Sequence, residues 1–488
     1  MGVFGGSRFP LGVRPEGPRT GLYLGLSAVR PAGSWAVETP DELPVVTTSF
    51  GPMPSLAEFR DSLDGELFSP GTSGYETIRH PVNAAYREVR PRLVVLCRSV
   101  SDVVGAMAYA TAIGDRIVPR GGGHCFAGRS STDGIVLDMS GLDGITVAPD
   151  QVATVQAGAR LEQVYPTLHT YGRTLPAGCG PTVGITGLTL GGGIGLLGRK
   201  HGLTCDRLVG AQVVLADGSV VDCDHDHHPD LFWALRGAGG GQFGVVTSLR
   251  FDTVPEPTTT RIEAHWSDIP VADLVSAWQV WAPDAPDDLT VNLTLESEPG
   301  APVRATLFGA ATLDEGPTRD LLREFTDQAG LAAAIDLRPG LPYHQLKRTF
   351  ADPRDLPEQP VRIRSEFFAH PMASDTLTSL LTQLAAGRRQ LSFTAMGGAY
   401  NRVAEDATAF AHRTERFLLE HIADPGDPWV DQSWATAHTD GSGRVYPNFP
   451  DPQLDNWATA YHAGNHPRLA AVKNAYDPHR FFDFPQAL

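Results

Sequence analysis

The sequence has few cysteines and no long apolar segment. Only five of its 488 residues are cysteines, and no two form a C-x-x-C pair, which excludes a disulfide scaffold and a thiolate zinc site. No apolar run reaches the roughly 20 residues that span a bilayer. Residues 21–29 are apolar but interrupted by glycine and serine, so they are a weak secretion signal. We expect a cytoplasmic protein that does not enter a membrane, with secretion left open.

The chain is also short of positive charge. Its 39 lysine and arginine residues stand against 56 acidic residues, which gives a formal net charge of −17 at pH 7. An acidic surface repels phosphate backbones, so we expect no nucleic-acid partner. With 42% hydrophobic and 19% charged residues, the chain can bury a large core, and this composition excludes global disorder.

Changes in composition along the chain predict four stretches. Residues 1–55 are rich in glycine, proline and arginine without periodicity, so we predict an N-terminal extension that lacks stable order. Residues 56–255 alternate short apolar strands with helices and form the first predicted domain. The segment P-E-P-T-T-T then predicts a linker to a second α+β domain at 256–440. Residues 441–488 are predicted to return to the first domain.

Periodicity predicts the individual elements. Ser101 is the predicted N-cap of a helix, because Val103, Val104 and Met107 fall on one face. An Ala-Asp-Gly turn between two apolar runs predicts a β-hairpin over 208–222. The further predicted strands are 92–97, 116–119, 135–138, 292–296 and 305–313, and the further predicted helices are 161–171, 273–281, 319–329, 376–386 and 468–475.

Glycine is concentrated in three segments of the first predicted domain. These are residues 120–128 (RGGGHCFAG), 178–195 (GCGPTVGITGLTLGGGIG) and 230–247 (DLFWALRGAGGGQFGVVT). Each glycine costs roughly 0.5–1 kcal/mol in conformational entropy, so packing alone does not explain this density. Glycines let a backbone approach a flat or pyrophosphate-bearing ligand and point several N–H groups at one anion. His124 ends the first loop, so we expect its imidazole beside that ligand.

Two other patterns are weaker indications of a binding site. Residues 193–198 match G-x-G-x-x-G, with Asp217 where a ribose-binding acid would stand. No continuous apolar strand precedes them and glycines interrupt the segment that follows, so we do not predict a nicotinamide dinucleotide site. Residues 222–228 (DCDHDHH) contain metal-ligating side chains but follow a hairpin, where polar turn residues are common. We predict no metal site there.

The motifs together resemble those of a known family. In order along the chain they are the loop 120–128, the segments 178–195, 198–206 and 230–247, Y-P-N-F-P at 446–450 and Y-D-P-H-R-F-F at 476–482. They are similar to motifs of FAD-linked oxidases of the vanillyl-alcohol-oxidase type, in particular the berberine-bridge-enzyme-like branch of actinobacterial secondary metabolism. The resemblance runs from about residue 56 to the C-terminus. It implies an α+β, two-domain FAD-binding fold (vanillyl-alcohol-oxidase/PCMH type) with an antiparallel-sheet substrate domain.

The resemblance also implies how FAD is attached. His124 matches the histidine that forms a covalent bond to the flavin 8α-methyl group, and a neutral imidazole is a competent nucleophile near pH 7. Many relatives add a bond from a cysteine at the position of Gly180, whereas here Cys179 lies one residue earlier. Since a one-residue shift in an extended segment turns the side chain to the other face, we expect attachment through His124 alone. A local bulge would bring Cys179 back to the ring, so a second bond stays open.

The remaining cofactor contacts follow from the same resemblance. The residues assigned to FAD binding are Arg120, Gly121, Gly122, Gly123, His124, Gly128, Cys179, Gly180, Pro181, Thr182, Val183, Gly184, Gly187, Gly191, Gly192, Gly195, Gly202, Leu203, Gly244, Val246, Tyr446 and Asn448. Val183 stands where O2-reactive relatives carry valine, which favours an oxidase over a dehydrogenase.

Catalysis is expected from the closing segment. Hydride transfer to a flavin needs a base that takes the substrate proton, and Tyr446 is the first candidate, because it matches a tyrosine that faces the flavin. A phenol needs a cationic neighbour or the flavin itself to act as a base. Asn448 would orient Tyr446 or the flavin. Further candidates for substrate contact are Glu366, His370 and Tyr400.

The function predicted from the sequence is an FAD-dependent oxidoreductase. We expect an O2-using oxidase that oxidises a hydroxyl or activated C–H group of a small natural-product-like substrate. Carbohydrate oxidation, and amine oxidation or oxidative cyclisation, are alternatives on the same fold, and a flavin carrier without catalysis is a rival of another class. The expected partners are the substrate and O2, and the sequence carries no signal for the oligomeric state.

Overall fold

The structure is a computed structural model that describes residues 55–350, 360–385 and 387–488. Apart from Ser55, the predicted N-terminal extension lies outside these residues. The α-helices of the described residues are α1 (Leu56–Asp61), α2 (Tyr75–Ile78), α3 (Val100–Ile113), α4 (Leu161–His169), α5 (Ile185–Leu190), α6 (Gly198–His201), α7 (Pro229–Leu235), α8 (Val271–Asp284), α9 (Glu315–Ala329), α10 (Tyr343–Thr349), α11 (Ser374–Leu384), α12 (Trp429–His438), α13 (Trp457–His462) and α14 (His466–Tyr476). Short 3-10 turns cover Ala84–Tyr86, Met139–Gly141, Thr204–Arg207, Gly398–Asn401 and Ala463–Asn465.

The first sheet has the strand order β1-β2-β4-β3. Its strands are β1 (Glu66–Phe68), β2 (Leu93–Leu96), β3 (Ile117–Arg120) and β4 (Ile135–Asp138). Strand β4 pairs in parallel with β2 and β3, and β1 is an antiparallel edge. Parallel strands need crossover connections, and α3 supplies the one between β2 and β3. The first glycine-rich loop begins where β3 ends.

The N-cap of α3 is Ser99, so the prediction of Ser101 is wrong. The Ser99 hydroxyl accepts the N–H of Asp102, and the Asp102 carboxylate accepts the N–H of Ser99, which completes a capping box. A cap needs an extended backbone, and Ser99 has φ −140° and ψ 163°, whereas Ser101 is already inside the helix.

The second sheet has the order β5-β6-β10-β8-β9, and all its pairs are antiparallel. Its strands are β5 (Ile145–Val147), β6 (Val152–Gln156), β8 (Leu208–Val214), β9 (Val220–Cys223) and β10 (Val245–Asp252), and a separate pair joins β7 (Arg173–Thr174) to β11 (Val254–Pro255). The predicted hairpin is confirmed, because β8 and β9 pair across the turn that contains Asp217.

The large sheet follows in sequence and has the order β15-β12-β14-β13-β17-β18-β16, with every pair antiparallel. Its strands are β12 (Thr258–Ser267), β13 (Leu289–Ser297), β14 (Arg304–Ala311), β15 (Ile335–Pro342), β16 (Arg362–Phe368), β17 (Arg389–Ala395) and β18 (Phe417–Ala423). The prediction that P-E-P-T-T-T is a linker is therefore wrong in its second half. Threonine is β-branched and suits a strand, and Thr259 and Thr260 are buried where β12 pairs with its neighbours.

The two faces of the large sheet differ in polarity. One face packs on helices α8, α9, α11 and α12, in a core that contains Trp278, Phe325 and Leu293. Since strand residues alternate between faces, Thr290 and Asn292 of β13 point the other way, toward the cavity described below. The sequence pattern thus gives the sheet an apolar face for the core and a mixed face for the site.

The last segment returns to the first half of the chain. Leu469 and Val472 of α14 are buried in the same core as Leu231 and Phe232 of α7. The predicted strands and helices are present in the structure, with ends that differ by at most four residues. The domain boundaries 56–255, 256–440 and 441–488 stay a prediction. In the described part of the chain, no helix is both long and apolar enough to cross a membrane.

Candidate active site

A cavity of about 530 Å³ lies between the glycine-rich loops, the mixed face of the large sheet and the closing segment. This volume is within the ~300–1,000 Å³ typical of ligand sites. Predicted site residues that line it are Gly121, Gly122, Gly123, His124, Cys179, Val183, Gly184, Gly187, Gly195, Gly244, Val246, Tyr400, Tyr446 and Asn448. Residues from segments far apart in sequence therefore meet in one place, as the motifs predict.

Other predicted site residues lie outside the lining. They are Arg120, Gly128, Gly180, Pro181, Thr182, Gly191, Gly192, Gly202, Leu203, Glu366 and His370. The buried Arg120 guanidinium donates to the carbonyls of Ile78 (3.0 Å) and Arg79 (2.8 Å), so it fixes a neighbouring segment. His370 is exposed after β16. The placement of His370 does not support substrate contact.

Glu366 is buried away from the cavity. Its carboxylate accepts hydrogen bonds from the backbone N–H of Gly443 (2.7 Å) and from His438 Nδ1 (3.0 Å). Burial raises the pKa of Glu366 to about 7, and the His438 contact opposes this shift. These contacts hold the segment before Tyr446 against β16. Glu366 therefore has a structural role and does not reach a substrate in the cavity.

Two glycine loops pack backbone on backbone beside His124. A Cβ at Gly122 would lie 2.2 Å from the amide nitrogen of Gly184, and a Cβ at Gly184 would lie 2.4 Å from that of Gly122. Both positions therefore require glycine. At Gly187, by contrast, an added Cβ would meet no atom within 4 Å, although this residue lines the cavity. A side chain there would occupy ligand space, so the cradle fits a bulky cofactor such as FAD.

His124 is held at the cavity wall by one nitrogen. Its Nε2 lies 2.9 Å from the Thr182 hydroxyl oxygen. Burial lowers the pKa of His124 to about 4, against the opposing effect of a hydrogen bond to the Thr182 backbone, so the imidazole is neutral at physiological pH. Among the described residues no hydrogen bond reaches Nδ1. The ring therefore presents a neutral nitrogen with no partner.

Cys179 also lines the cavity, and attachment of FAD through His124 alone stays a prediction. Its sulfur lies 3.0 Å from the Lys347 ammonium nitrogen, which also donates to the carbonyl of Ala177 (3.1 Å). The Tyr165 and Tyr343 rings flank this ammonium at 5.1 and 5.4 Å. Burial lowers the pKa of Lys347, and no carboxylate of the described residues pairs with it.

Tyr446 reaches the cavity with its hydroxyl already hydrogen-bonded. This oxygen accepts the backbone N–H groups of Gly193 and Ile194, both at 3.1 Å, and the Asn448 side-chain amide at 3.0 Å. Asn448 also donates to the carbonyl of Leu188, so it stands beside the phenol as expected. Burial raises the pKa of Tyr446 to about 12 despite these donors, and among the described residues no cation contacts the hydroxyl. Tyr446 is therefore protonated at neutral pH and poorly suited to be the base.

Glu420 is one of the ionisable cavity residues that sequence reasoning missed. It lies on β18, on the same face as Leu418, and lines the cavity. Its carboxylate makes no hydrogen bond or ion pair with any described residue, and burial raises its pKa to about 8. One signal was available in the sequence, because Glu420 is the single acidic residue in a strand whose other residues, apart from His421, are apolar.

Tyr400, which follows β17 of the large sheet, is hydrogen-bonded to a glycine-rich loop. Its hydroxyl donates to the carbonyl of Gly195 (2.8 Å) and accepts the N–H of the same residue (3.2 Å), and burial raises its pKa. Aromatic residues that the sequence analysis did not assign complete the wall. They are Phe126, Phe449, Phe482 and Phe484. Of these, Phe126 and Phe449 meet edge to face with ring centroids 5.6 Å apart.

Comparison with known proteins identifies the family and its cofactor. A family model described as "FAD binding domain" matches residues 91–224, and one described as "Berberine and berberine like" matches residues 445–488. YgaK of Bacillus subtilis (strain 168), named an uncharacterized FAD-linked oxidoreductase, is 32% identical over 450 residues, which cover 88% of this chain and 98% of YgaK. The chain belongs to the berberine-bridge-enzyme-like family of FAD-linked oxidoreductases.

Solved structures share the berberine-bridge-enzyme-like fold. BBE-like 1 of Physcomitrella patens matches with a TM-score of 0.81 at 25% identity, over 89% of this chain and 99% of that protein. Glucooligosaccharide oxidase of Acremonium strictum, whose FAD is 6-S-cysteinyl and 8α-N1-histidyl, matches with a TM-score of 0.78 at 24% identity, over 87% and 97%. The predicted FAD-binding fold, the FAD cofactor and the FAD-linked oxidoreductase activity are confirmed.

Proposed function

We propose that this enzyme is an O2-using oxidase with FAD attached covalently through His124. Its substrate is a small natural-product-like molecule that is oxidised at a hydroxyl or activated C–H group. The observation that carries the proposal is one cavity lined by a neutral histidine, an unpaired carboxyl group and a hydrogen-bonded phenol, which are His124, Glu420 and Tyr446. Bound FAD supplies the hydride acceptor. The resemblance to oxidases of actinobacterial secondary metabolism supports the substrate class.

The attachment assigns a role to each nitrogen of His124. When Nε2–H donates to the Thr182 hydroxyl, the lone pair stays on Nδ1, which has no described partner. Nδ1 corresponds to the N1 atom named for the FAD linkage of glucooligosaccharide oxidase. Because the pKa of His124 is lowered to about 4, this nitrogen keeps its lone pair throughout the physiological pH range. Thr182 is then a positioning residue that fixes the tautomer.

Glu420 is the proposed general base. It faces the cavity from the large sheet and has no partner among the described residues, so its carboxylate is available to a substrate O–H or N–H. A base with a pKa of about 8 is close to the operating pH, where general-base catalysis is most effective. The protonated Tyr446 hydroxyl, held by Asn448, orients the substrate without taking its proton.

Carbohydrate oxidation is the second candidate function. The mixed face of the large sheet brings Thr290, Asn292 and Thr394 to the cavity, and these side chains can hydrogen-bond to sugar hydroxyls. The structural similarity to glucooligosaccharide oxidase supports the same candidate. The two candidates differ in substrate and share the residues that act on it.

The experiment starts with acid precipitation of the purified protein. A yellow pellet from wild type, with a colourless pellet and a yellow supernatant from His124→Ala, supports attachment through His124 alone. A yellow pellet from His124→Ala that is still yellow when Cys179→Ala is added contradicts attachment through either residue. Cys179→Ala tests the second bond, because a doubly linked flavin would change its absorption spectrum in this variant. Oligosaccharides and aromatic or polyketide-like alcohols are then screened for O2 consumption and hydrogen peroxide. Flavin reduction without O2 consumption would contradict the oxidase assignment.

A further inference from the structure

Two histidine side chains outside the flavin cavity converge on one carboxylate. His169 Nδ1 lies 2.5 Å from one oxygen of Glu256, and His344 Nδ1 lies 3.0 Å from the other. The two imidazole rings are neighbours, with centroids 3.7 Å apart and planes tilted by 31°. His169, Glu256 and His344 each offer one possible ligand atom, and these three atoms lie within 4.8 Å of one another. Three separate segments of the chain are thus joined at one point.

The chemistry of this group suits a divalent transition metal. Two imidazole nitrogens and one carboxylate oxygen form a ligand set of Zn2+ sites that keep a fourth position open. Zn2+ takes its nitrogen and oxygen ligands at roughly 2.0–2.2 Å, which places tetrahedral ligand atoms about 3.4 Å from one another. His169 Nδ1 and the Glu256 oxygen, which are 2.5 Å apart, would therefore separate, and the more distant atoms of the group would approach one another. Both histidines point Nδ1 at the carboxylate, and a cation would replace the protons shared there.

Backbone hydrogen bonds also hold Glu256 in place, in addition to its contacts with the two imidazoles. One Glu256 oxygen accepts the backbone N–H of His344 (2.8 Å), and the Glu256 backbone N–H donates to Gly172 (2.9 Å). The Glu256 side chain is only 7% exposed, and that of His344 only 12%. Such backbone contacts orient a ligand before a metal binds. The His169 side chain is 44% exposed, so solvent reaches the open side of the group.

We propose that His169, Glu256 and His344 form a Zn2+ site with a fourth position open to solvent. The ion connects the end of α4, the residue after β11 and the first turn of α10. Helix α10 also carries Lys347, which contacts Cys179 in the cavity wall. Zn2+ at this site therefore stabilises the position of α10 and, through it, one wall of the flavin cavity. The net charge of −17 attracts cations to the surface.

The test uses the full-length, flavin-loaded protein. After dialysis against a chelator, the protein is titrated with ZnSO4 by calorimetry, and bound zinc is counted by mass spectrometry. We expect one Zn2+ per chain and a Tm that rises with zinc concentration. His169→Ala and His344→Ala should each weaken Zn2+ binding more than about 10-fold, since loss of even an outer-shell partner costs that much.

His227→Ala is the matched control. His227 belongs to the exposed segment 222–228, where Asp224 Oδ1 is occupied by His227 Nδ1 (2.9 Å) and by the N–H of Asp226 (3.0 Å). This variant should bind Zn2+ like wild type. His169 is half exposed, so His169→Ala should keep its flavin absorbance, which shows that the variant is folded. Absent Zn2+ binding by wild type, or equal binding by wild type and His169→Ala, would overturn the proposal.

Discussion

The ammonium nitrogen of Lys347 lies 3.0 Å from the sulfur of Cys179, in the wall of the flavin cavity. Burial lowers the pKa of this lysine, so at alkaline pH the folded chain holds fewer protons here than the unfolded chain. Stability then rises with pH between the lowered pKa and the ordinary lysine value of about 10.4. Wild type should therefore gain Tm relative to Lys347→Met as the pH is raised from 7 to 10. Parallel curves would show that Lys347 does not titrate in this window.

Glu420→Gln tests the proposed base. Because Glu420 acts only when deprotonated and its pKa is raised to about 8, kcat/KM of wild type should increase as the pH rises through about 8. The variant should lose roughly 10²–10⁴-fold in kcat and the dependence on pH in this range. Stopped-flow measurement of flavin reduction at several pH values gives both the rate and its dependence on pH. Glu366→Gln is the matched control, since it alters a buried carboxyl group outside the cavity, and its rate should stay within a few-fold of wild type.

Tyr446→Phe separates an orienting phenol from a basic one. If the hydroxyl only orients substrate, the variant should react more slowly, by about 10-fold or more, yet keep the pH dependence that Glu420 imposes. Loss of the alkaline rise in Tyr446→Phe, with its retention in Glu420→Gln, would identify Tyr446 as the base. The variant should also unfold at a lower temperature, because two backbone N–H groups and the Asn448 amide lose their acceptor, at about 1–3 kcal/mol for each buried group left unpaired.

Arg199 joins the glycine-rich half of the chain to the large sheet. Its buried guanidinium, on α6, donates to the carbonyls of Leu289 (3.0 Å), Pro283 (2.7 Å), Ala285 and Met396. Arg199→Met should therefore destabilise the protein by at least about 3 kcal/mol, because several buried carbonyls lose their donor. Thermal unfolding followed by flavin fluorescence measures the change. Arg199→Lys keeps the positive charge but has fewer N–H donors, so its Tm should lie between those of wild type and Arg199→Met. A Tm of Arg199→Met equal to that of wild type would contradict this role.

The sequence predicted those features that depend on local patterns. Glycine spacing identified the loops around Gly122 and Gly184, whose mutual approach admits no side chain, and the Ala-Asp-Gly turn identified the hairpin of β8 and β9. The cap of α3 was missed although Ser99-x-x-Asp102 matches the capping-box pattern, because only the helical face was considered when Ser101 was chosen.

Contacts between distant segments could not be predicted in this way. Cys179 and Lys347 are far apart in sequence, and neither segment indicates that the other is near. Glu420 is visible as the one acidic residue of a mainly apolar strand, but only the pairing of β18 with β16 and β17 shows which face the carboxyl group takes. The role first assigned to Tyr446 likewise depended on its partners, since the backbone donors that occupy its hydroxyl belong to a different loop.

The order in which the cavity wall is assembled limits when the cofactor can be enclosed. His124 belongs to the first third of the chain, whereas Tyr446, Asn448 and Phe484 are synthesised after more than half of the chain has followed it. During translation the early glycine-rich loops leave the ribosome before the large sheet and the closing segment exist. A nascent chain that ends before residue 446 lacks these three wall residues. The cavity that we propose for FAD is therefore complete only after Phe484 has been synthesised.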